Sequence, residues 1–153
     1  MSSLELKVPP PVVALCFMLL MWPASKLVPP VELPVGLRVG IASVLVAAGL
    51  AIGISGVISF RRARTTINPT KPTAASSLVS GGVYRFTRNP MYLGLALLLL
   101  AWATFLSNLL ALLCVPLFVV YINRFQINPE ERALLALFGG EYTAYKRTVR
   151  RWL

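Results

Sequence analysis

Histidine is absent from the 153 residues of this chain, and the five Asp and Glu are outnumbered by 15 Lys and Arg. The side chain that most often serves as a general base near neutral pH is therefore missing, which leaves carboxylates, tyrosines and water for proton transfer. The two cysteines, Cys16 and Cys114, lie in apolar stretches and form no Cys-x-x-Cys pair. Neither a zinc site nor a disulfide framework is indicated, so we expect no metal and a reaction that needs little acid-base help.

Charged residues of all kinds make up only 13% of the chain, whereas 57% is hydrophobic and the mean hydropathy is +0.74. This composition excludes an ordinary soluble domain and indicates an integral membrane protein. A bilayer core about 30 Å thick needs roughly 20 apolar residues per helix. Four stretches approach that length: residues 12–27, 34–60, 90–106 and 108–123. We predict a single all-α domain over residues 1–153 with about four transmembrane helices.

The first span carries the weakest signal, because Pro23 interrupts it. Lys7 before an apolar run is also typical of a signal peptide. Trp22 and Pro23, however, stand where small residues should precede a cleavage site. We therefore favour a retained span.

The positions of the basic residues predict the topology. Only Lys26 and Arg38 lie between the first two spans, and the other Lys and Arg fall on the opposite side if four helices alternate. The positive-inside rule then places both termini, the loop 61–89 and the tail 124–153 in the cytoplasm, as expected in a bacterial-type inner membrane. Such a basic face would attract anionic lipid headgroups, and it explains the +10 net charge without nucleic acid as a partner.

The loop at residues 61–89 is the only long polar stretch. Prolines within residues 67–72 exclude regular helix there. Four apolar side chains are expected to anchor the loop against the helices: Val79, Val83, Tyr84 and Phe86.

Two helix starts share one local pattern, Asn89-Pro90 and Asn128-Pro129. Asn is a frequent N-cap, and Pro suits the first helical turn. Glu131 stands three residues after Asn128, as in a capping box. Capping alone would account for the acids here; a ligand-binding role is the alternative.

The first of these starts belongs to the sequence GGVYRFTRNPMYLG at residues 81–94. The N–H groups at this helix end could bind a carboxylate. Gly94 could let a ligand touch the backbone, or it could let neighbouring helices approach. Arg85 and Arg88 could equally be interfacial basic residues, and Tyr84 and Tyr92 could belong to an aromatic belt.

Taken in order, GGVYRFTRNPMYLG, an apolar hairpin and NPEERALLALFGGEYTAYKRTVRRW resemble the C-terminal region of the isoprenylcysteine carboxyl methyltransferase family. They are more loosely similar to membrane phospholipid methyltransferases. The resemblance covers about residues 66–152. The family usually has His between the Arg and Pro of the first block, where this chain has Asn89.

The resemblance implies a membrane enzyme that binds S-adenosylmethionine at the cytoplasmic face and methylates a lipophilic small molecule or lipid from the bilayer. The donor's carboxylate would suit the start of the third span, its ammonium and ribose would suit Glu130 and Glu131, and a tyrosine face would suit its sulfonium. Glu131 is the stronger candidate of the two acids. Arg124 corresponds roughly to an arginine that orients the acceptor, although it could merely mark the end of a span. By resemblance the cofactor-binding residues are Tyr84, Arg88, Asn89, Pro90, Met91, Tyr92, Leu93, Gly94, Glu130 and Glu131.

The third and fourth spans are separated only by Ser107 and Asn108, which predicts a tight helical hairpin. The hairpin returns the chain to the cytoplasmic face at Arg124, a few residues before Asn128. We therefore expect the segment at Asn89 and the Glu130-Glu131 pair to lie side by side around one ligand.

The tail is predicted to form an amphipathic lid on the membrane surface. Its first part carries an apolar face of Leu134, Leu135 and Phe138, Gly139-Gly140 is expected to stop that helix, and a second stripe consists of Tyr142, Tyr145 and Val149.

Two other classes of protein remain compatible with the sequence. Membrane reductases that use NADPH share an Arg-x-Pro-x-Tyr pattern, and a non-catalytic four-helix transporter or scaffold would share the hydropathy. Three acceptor classes, a prenylated compound, a phospholipid amine and a small hydrophobic metabolite, fit equally, with oxygen, nitrogen or sulfur as the methylated atom.

Overall fold

The computed structural model describes residues 5–65, 73 and 75–153, and all regular structure in this part is helical. The all-α prediction is confirmed for these residues. Five α-helices follow one another, with a 3₁₀ turn at Gly82–Arg85 and a π-helical turn at Asn123–Ile127. The helices are α1 Pro10–Ala24, α2 Val35–Arg62, α3 Pro90–Leu106, α4 Leu109–Ile122 and α5 Asn128–Thr148.

Within the described residues, two helical segments are long and apolar enough to cross a membrane. One is α2, with 28 residues, and the other is the continuous segment Leu109–Thr148, in which α4, the π-helical turn and α5 follow without a break. The apolar part of the second segment ends before Arg124, because charged residues follow. Helices α1 and α3 are apolar but shorter. Arg61 and Arg62 belong to α2 rather than to the predicted loop, and α1 begins and ends earlier than the predicted 12–27.

Helices α2 and α3 cross in close contact at glycines. A Cβ atom added to Gly94 would lie 2.7 Å from the carbonyl oxygen of Gly49 and 3.2 Å from the Cα of Gly53. A Cβ on Gly56 would lie 2.9 Å from the Cγ of Met91. Small residues allow such close backbone approach between apolar helices. The structure supports the helix-packing interpretation of Gly94, and a ligand contact at its backbone stays a prediction.

The predicted hairpin between α3 and α4 is present. Ser107 adopts the left-handed region at φ 51°, which ends α3. Asn108 caps α4, since its Oδ1 accepts from the backbone N–H groups of Leu110 and Ala111 at 2.9 and 3.3 Å. The amide of Asn108 donates to two carbonyls in the connector after α1, at 3.0 Å each. The hairpin is thus fixed locally and also tied to the first half of the chain.

The π-helical turn joins α4 to α5 without a cap. Gln126 within it is fully buried and donates through Nε2 to the carbonyl of Val8 at 2.6 Å. Ile127, directly before α5, has helical angles of φ −65° and ψ −48°, and no side chain caps α5. The predicted capping box at Asn128 and Glu131 is therefore wrong, because the helix already runs through Asn128 and offers no free N-terminal turn.

Helix α5 bends at Gly139, whose φ of 48° and ψ of −114° are not helical. The sequence predicted that the helix stops here, whereas it changes direction and resumes. A residue with a side chain rarely adopts this φ, which glycine tolerates. After the bend, Tyr142 is buried and lines the same cavity as Tyr92 in the first turn of α3.

The loop before α3 is anchored by two of its four predicted residues. Val79 and Tyr84 are buried, and the Tyr84 ring meets that of Phe60 edge-on at 5.5 Å. The prediction for Phe86 is wrong, since Phe86 is 75% exposed. Residues 67–72 lie outside the described part of the chain, so the exclusion of helix there stays a prediction.

Candidate functional site

A cavity of about 510 Å³ lies between α2, α3, α5 and the start of α1. This volume falls within the range of small-molecule sites, about 300–1,000 Å³. One part of the lining is apolar and includes Leu50, Ile54, Val57, Leu95 and Leu98. The other part is polar and includes Tyr84, Arg88, Asn89, Tyr92, Glu130, Glu131, Tyr142 and Tyr145. The cavity therefore accepts a polar group at one end and an apolar one at the other.

Glu131 is held by three cations at the polar end. Arg88 donates from Nη2 to its Oε1 at 3.0 Å. Arg151 forms two bonds, from Nε to Oε1 at 3.1 Å and from Nη2 to Oε2 at 2.7 Å, and the Nζ of Lys146 lies 3.6 Å from Oε2. A buried carboxylate is stable only when such partners replace its water. The charge of Glu131 is thus already neutralised by the protein.

The neighbouring Glu130 has a different environment. Its Oε2 accepts a hydrogen bond from the Tyr92 hydroxyl at 2.9 Å, and within the described residues no cation lies within salt-bridge distance of it. Burial raises the pKa of Glu130 to about 7, the Tyr92 hydrogen bond opposes that rise, and the nearby Glu131 charge adds to it. The residue is half-buried because it faces the cavity. Of the two acids, Glu130 is the one available to a cationic ligand.

Arg88 also has unused bonding capacity. Its side chain is only 10% exposed, and its Nε is buried without a hydrogen-bond partner in the described part of the chain. Buried polar groups are normally satisfied, so an orphaned donor at a cavity wall indicates a place for a ligand acceptor. A carboxylate is the group that best matches a guanidinium edge.

Three tyrosines form an aromatic wall on the polar end. The Tyr145 hydroxyl donates to the carbonyl of Tyr84 at 2.7 Å, which ties α5 to the 3₁₀ turn. Burial raises the pKa of Tyr84 and of Tyr142 well above the ordinary value, and it raises that of Tyr145 to about 12. All three stay neutral at physiological pH. They offer ring faces and hydroxyls rather than bases.

Comparison with protein families decides the class of this protein. The family model described as phospholipid methyltransferase matches residues 37–141. The chain belongs to the phospholipid methyltransferase family. This family falls within the isoprenylcysteine carboxyl methyltransferase-like group, which confirms the resemblance drawn from the sequence. Membership and the apolar helices together indicate a membrane methyltransferase.

A second comparison found a similar protein in Haemophilus influenzae, described as an uncharacterized protein. The two chains are 56% identical over 63 residues, which is 41% of this chain and 100% of that protein. No solved structure matches.

In this phospholipid methyltransferase family member, the cavity collects most of the predicted cofactor residues. Tyr84, Arg88, Asn89, Met91, Tyr92, Gly94, Glu130 and Glu131 line it. Pro90 and Leu93 are buried but are not part of the lining. Arg124, the predicted acceptor-orienting residue, is exposed on the π-helical turn and does not line the cavity. The predicted lid contributes Leu134, Tyr142 and Tyr145.

Asn89 makes a contact that the sequence did not suggest. Its Nδ2 donates to the carbonyl of Arg151 at 2.9 Å, and Thr87 donates to the same carbonyl at 3.3 Å. Asn89 stands at the N-cap position of α3, yet its side chain makes no cap hydrogen bond. In the sequence, Arg151 is only one of the basic residues predicted on the cytoplasmic side, since no local pattern reveals a partner 62 positions away.

Proposed function

We propose that the protein transfers a methyl group from S-adenosylmethionine to a lipophilic acceptor that enters from the bilayer. The observation that carries this proposal is the pairing of two unused groups at one end of an otherwise apolar cavity. Arg88 offers an unpaired donor and Glu130 offers a carboxylate without a cation. These two groups are complementary to the carboxylate and the ammonium of an amino acid.

The residues present fit the methyl donor. Arg88 would hold the carboxylate and Glu130 the ammonium, so the ammonium role passes from the predicted Glu131 to its neighbour. When bound, S-adenosylmethionine supplies a methyl group made electrophilic by the attached sulfonium. Tyr84, Tyr142 and Tyr145 present neutral aromatic faces, which attract a cation.

The protein's contribution to the reaction is mainly alignment. In-line methyl transfer is accelerated when acceptor and donor are held in one orientation, which can supply roughly 7–11 kcal/mol of the barrier. The apolar wall of α2 and α3 suits the hydrocarbon part of the acceptor and keeps water out. No histidine is needed for such a step.

For the membrane arrangement we propose four spans, α1 to α4, with both termini at the cytoplasmic face of a bacterial-type inner membrane. The basic end of α2 at Arg61 and Arg62 supports this, because it lies on the same side as Arg88 in an alternating bundle. Cysteines introduced at Ser76 and Thr143 should then react with a membrane-impermeant reagent from the same side. Labelling from opposite sides would contradict the four-span arrangement.

Calorimetric titration of the detergent-solubilised protein with S-adenosylmethionine and with NADPH tests the cofactor. We expect S-adenosylmethionine to bind and NADPH to give no heat. Arg88→Gln should abolish most of the affinity, since it removes the carboxylate partner. Binding of NADPH alone would instead indicate a reductase, and binding of neither would indicate a non-catalytic protein.

Acceptor assays with radiolabelled methyl donor then distinguish the substrate classes. Phosphatidylethanolamine vesicles test the phospholipid amine, and a farnesylated cysteine tests the prenylated carboxylate. Label that partitions into the organic phase with one acceptor identifies its class. Label with neither acceptor, in a protein that binds the donor, would overturn both of these acceptors.

A further inference from the structure

We propose that Arg151 is a positioning residue for the polar end of the cavity: it fixes the Glu131 carboxylate and thereby the direction in which Arg88 presents its unused donor. The proposal rests on the proposed function where it takes S-adenosylmethionine as the ligand. Arg151 belongs to a short segment after α5, residues 149–152, which we term the C-terminal strap.

Arg151 acts on the cavity without lining it. The cavity wall does not include Arg151, whose side chain is 34% exposed. Both of its hydrogen bonds go to Glu131, one to each carboxylate oxygen, at 3.1 and 2.7 Å. Two parallel bonds from a planar guanidinium fix the rotation of a carboxylate, which a single bond does not.

Glu131 in turn helps to determine where Arg88 points, together with the carbonyl of Lys146, which accepts from the Nη1 of Arg88 at 3.4 Å. Oε1 of Glu131 accepts from both Arg88 and Arg151. With the carboxylate plane held by Arg151, the Nη2 of Arg88 binds Oε1, and the Nε of Arg88 has no hydrogen-bond partner among the described residues. If Arg151 is removed, the carboxylate can rotate toward Arg88 and Lys146. Arg88 could then bind Glu131 in several orientations, and its Nε–H would no longer point toward the ligand in one fixed direction.

The strap also holds the backbone that carries Arg88. The backbone N–H of Arg88 donates to the carbonyl of Arg150 at 3.0 Å. Asn89 and Thr87 both donate to the carbonyl of Arg151. Trp152 donates from its indole to the Oδ1 of Asn123 at 3.2 Å, which ties the strap to the π-helical turn. The backbone carbonyls of the strap thus hold residues 87–89, while the Arg151 side chain holds Glu131.

Arg150 provides a matched control for Arg151. It is the adjacent residue, it is exposed, and it contributes a backbone carbonyl that a substitution keeps. Arg150→Gln and Arg151→Gln therefore remove the same charge from the same strap. Only the second removes the two bonds to Glu131.

Binding of S-adenosylmethionine and of decarboxylated S-adenosylmethionine to the full-length solubilised protein tests the proposal. We expect Arg151→Gln to weaken binding of the intact donor about tenfold or more, because losing a hydrogen bond between charged groups has an effect of that size on affinity. Binding of the decarboxylated donor should change little, since it has no carboxylate for Arg88. Arg150→Gln should resemble the parent with both ligands.

A merely structural role would give a different pattern, in which Arg151→Gln weakens both donors equally and lowers the thermal midpoint. That result would overturn the proposal, and so would unchanged binding of both. Adding Arg151→Gln to Glu131→Gln should cause no further loss of donor affinity, because the residue acts through Glu131. An additive loss would contradict this route.

If the parent binds neither donor, the proposed function fails and a second measurement decides the positioning role. A double-mutant cycle of Arg151→Gln and Glu131→Gln on thermal unfolding needs no ligand. Strong non-additivity is expected for side chains in direct contact. Additive effects would show that the two residues are not coupled. That result would overturn the positioning role without any measurement of ligand binding.

Discussion

Arg88 and Glu131, 43 positions apart, meet through an Nη2 to Oε1 contact of 3.0 Å at the polar end of the cavity. This contact joins the segment directly before α3 to the first turn of α5, so the two Asn-Pro segments lie side by side. It also neutralises Glu131 and leaves the adjacent Glu130 facing the cavity with one hydrogen bond from Tyr92. The two acids consequently have separate roles, one structural and one open to a ligand.

The pKa of Glu130, raised to about 7, predicts a pH dependence of donor binding. Below that pH the carboxyl is protonated and cannot attract an ammonium, so affinity for S-adenosylmethionine should rise with pH by up to about tenfold per unit. Calorimetric titrations between about pH 5.5 and 7.5 measure this. The donor's own ammonium stays charged in that interval, since α-amino groups titrate near 8.

Glu130→Gln should bind weakly and without this pH dependence. The control is Glu141→Gln, because Glu141 is exposed and lies outside the main cavity. If Glu130→Gln keeps the affinity and pH profile of the parent, Glu130 is not the ammonium partner.

Gly94→Ala should destabilise the protein by about 1–3 kcal/mol, the range for overpacking at a tight contact. The added Cβ would lie 2.7 Å from the Gly49 carbonyl oxygen, so α2 and α3 must separate. Gly40→Ala is the control in the same pair of helices, since nothing lies within 4 Å of its added Cβ. Thermal unfolding in detergent compares the two variants. Equal thermal midpoints for the two variants would show that α2 and α3 accommodate the added Cβ without loss of stability.

Asn108→Ala should lower the free energy of unfolding by about 2–3 kcal/mol. The variant loses a helix cap, about 1 kcal/mol, and two hydrogen bonds from the amide to the connector after α1, about 1 kcal/mol each. Asn128→Ala should have a small effect, because Asn128 does not cap α5. Chemical denaturation of both variants measures the difference. A larger loss of stability in Asn128→Ala than in Asn108→Ala would support the capping box that the sequence suggested at Asn128.

Arg124→Gln should leave donor affinity and methyl transfer within about twofold of the parent, as is usual for surface changes away from a site. Arg124 is exposed and does not line the cavity. Activity with the acceptor that the radiolabel assays select, measured over a range of acceptor concentrations, tests this. A raised KM for the acceptor alone would support the acceptor-orienting role implied by the resemblance.

The sequence by itself determined the membrane class, the hairpin and the meeting of the two Asn-Pro segments. Apolar length and composition are local properties, and so is the short connection at Ser107 and Asn108 that forces α3 and α4 to run antiparallel. Once the chain returns to its starting face, residues near Asn89 and Glu130 must be neighbours. The position of the interruption at Gly139 was also predicted, because glycine adopts the required φ without strain, although the helix bends there and does not stop.

Tertiary contacts alone decided how these residues are used. Successive residues on a helix point about 100° apart, so the rotation of α5 determines which of Glu130 and Glu131 meets the arginines. The π-helical turn that leads into α5 is tied to the segment before α1, since Gln126 donates to the carbonyl of Val8. The approach of α2 made Gly94 a packing residue, and the return of the strap made Arg151 a partner of Glu131 and Asn89. Each of these contacts joins residues far apart in sequence, and no local pattern encodes them.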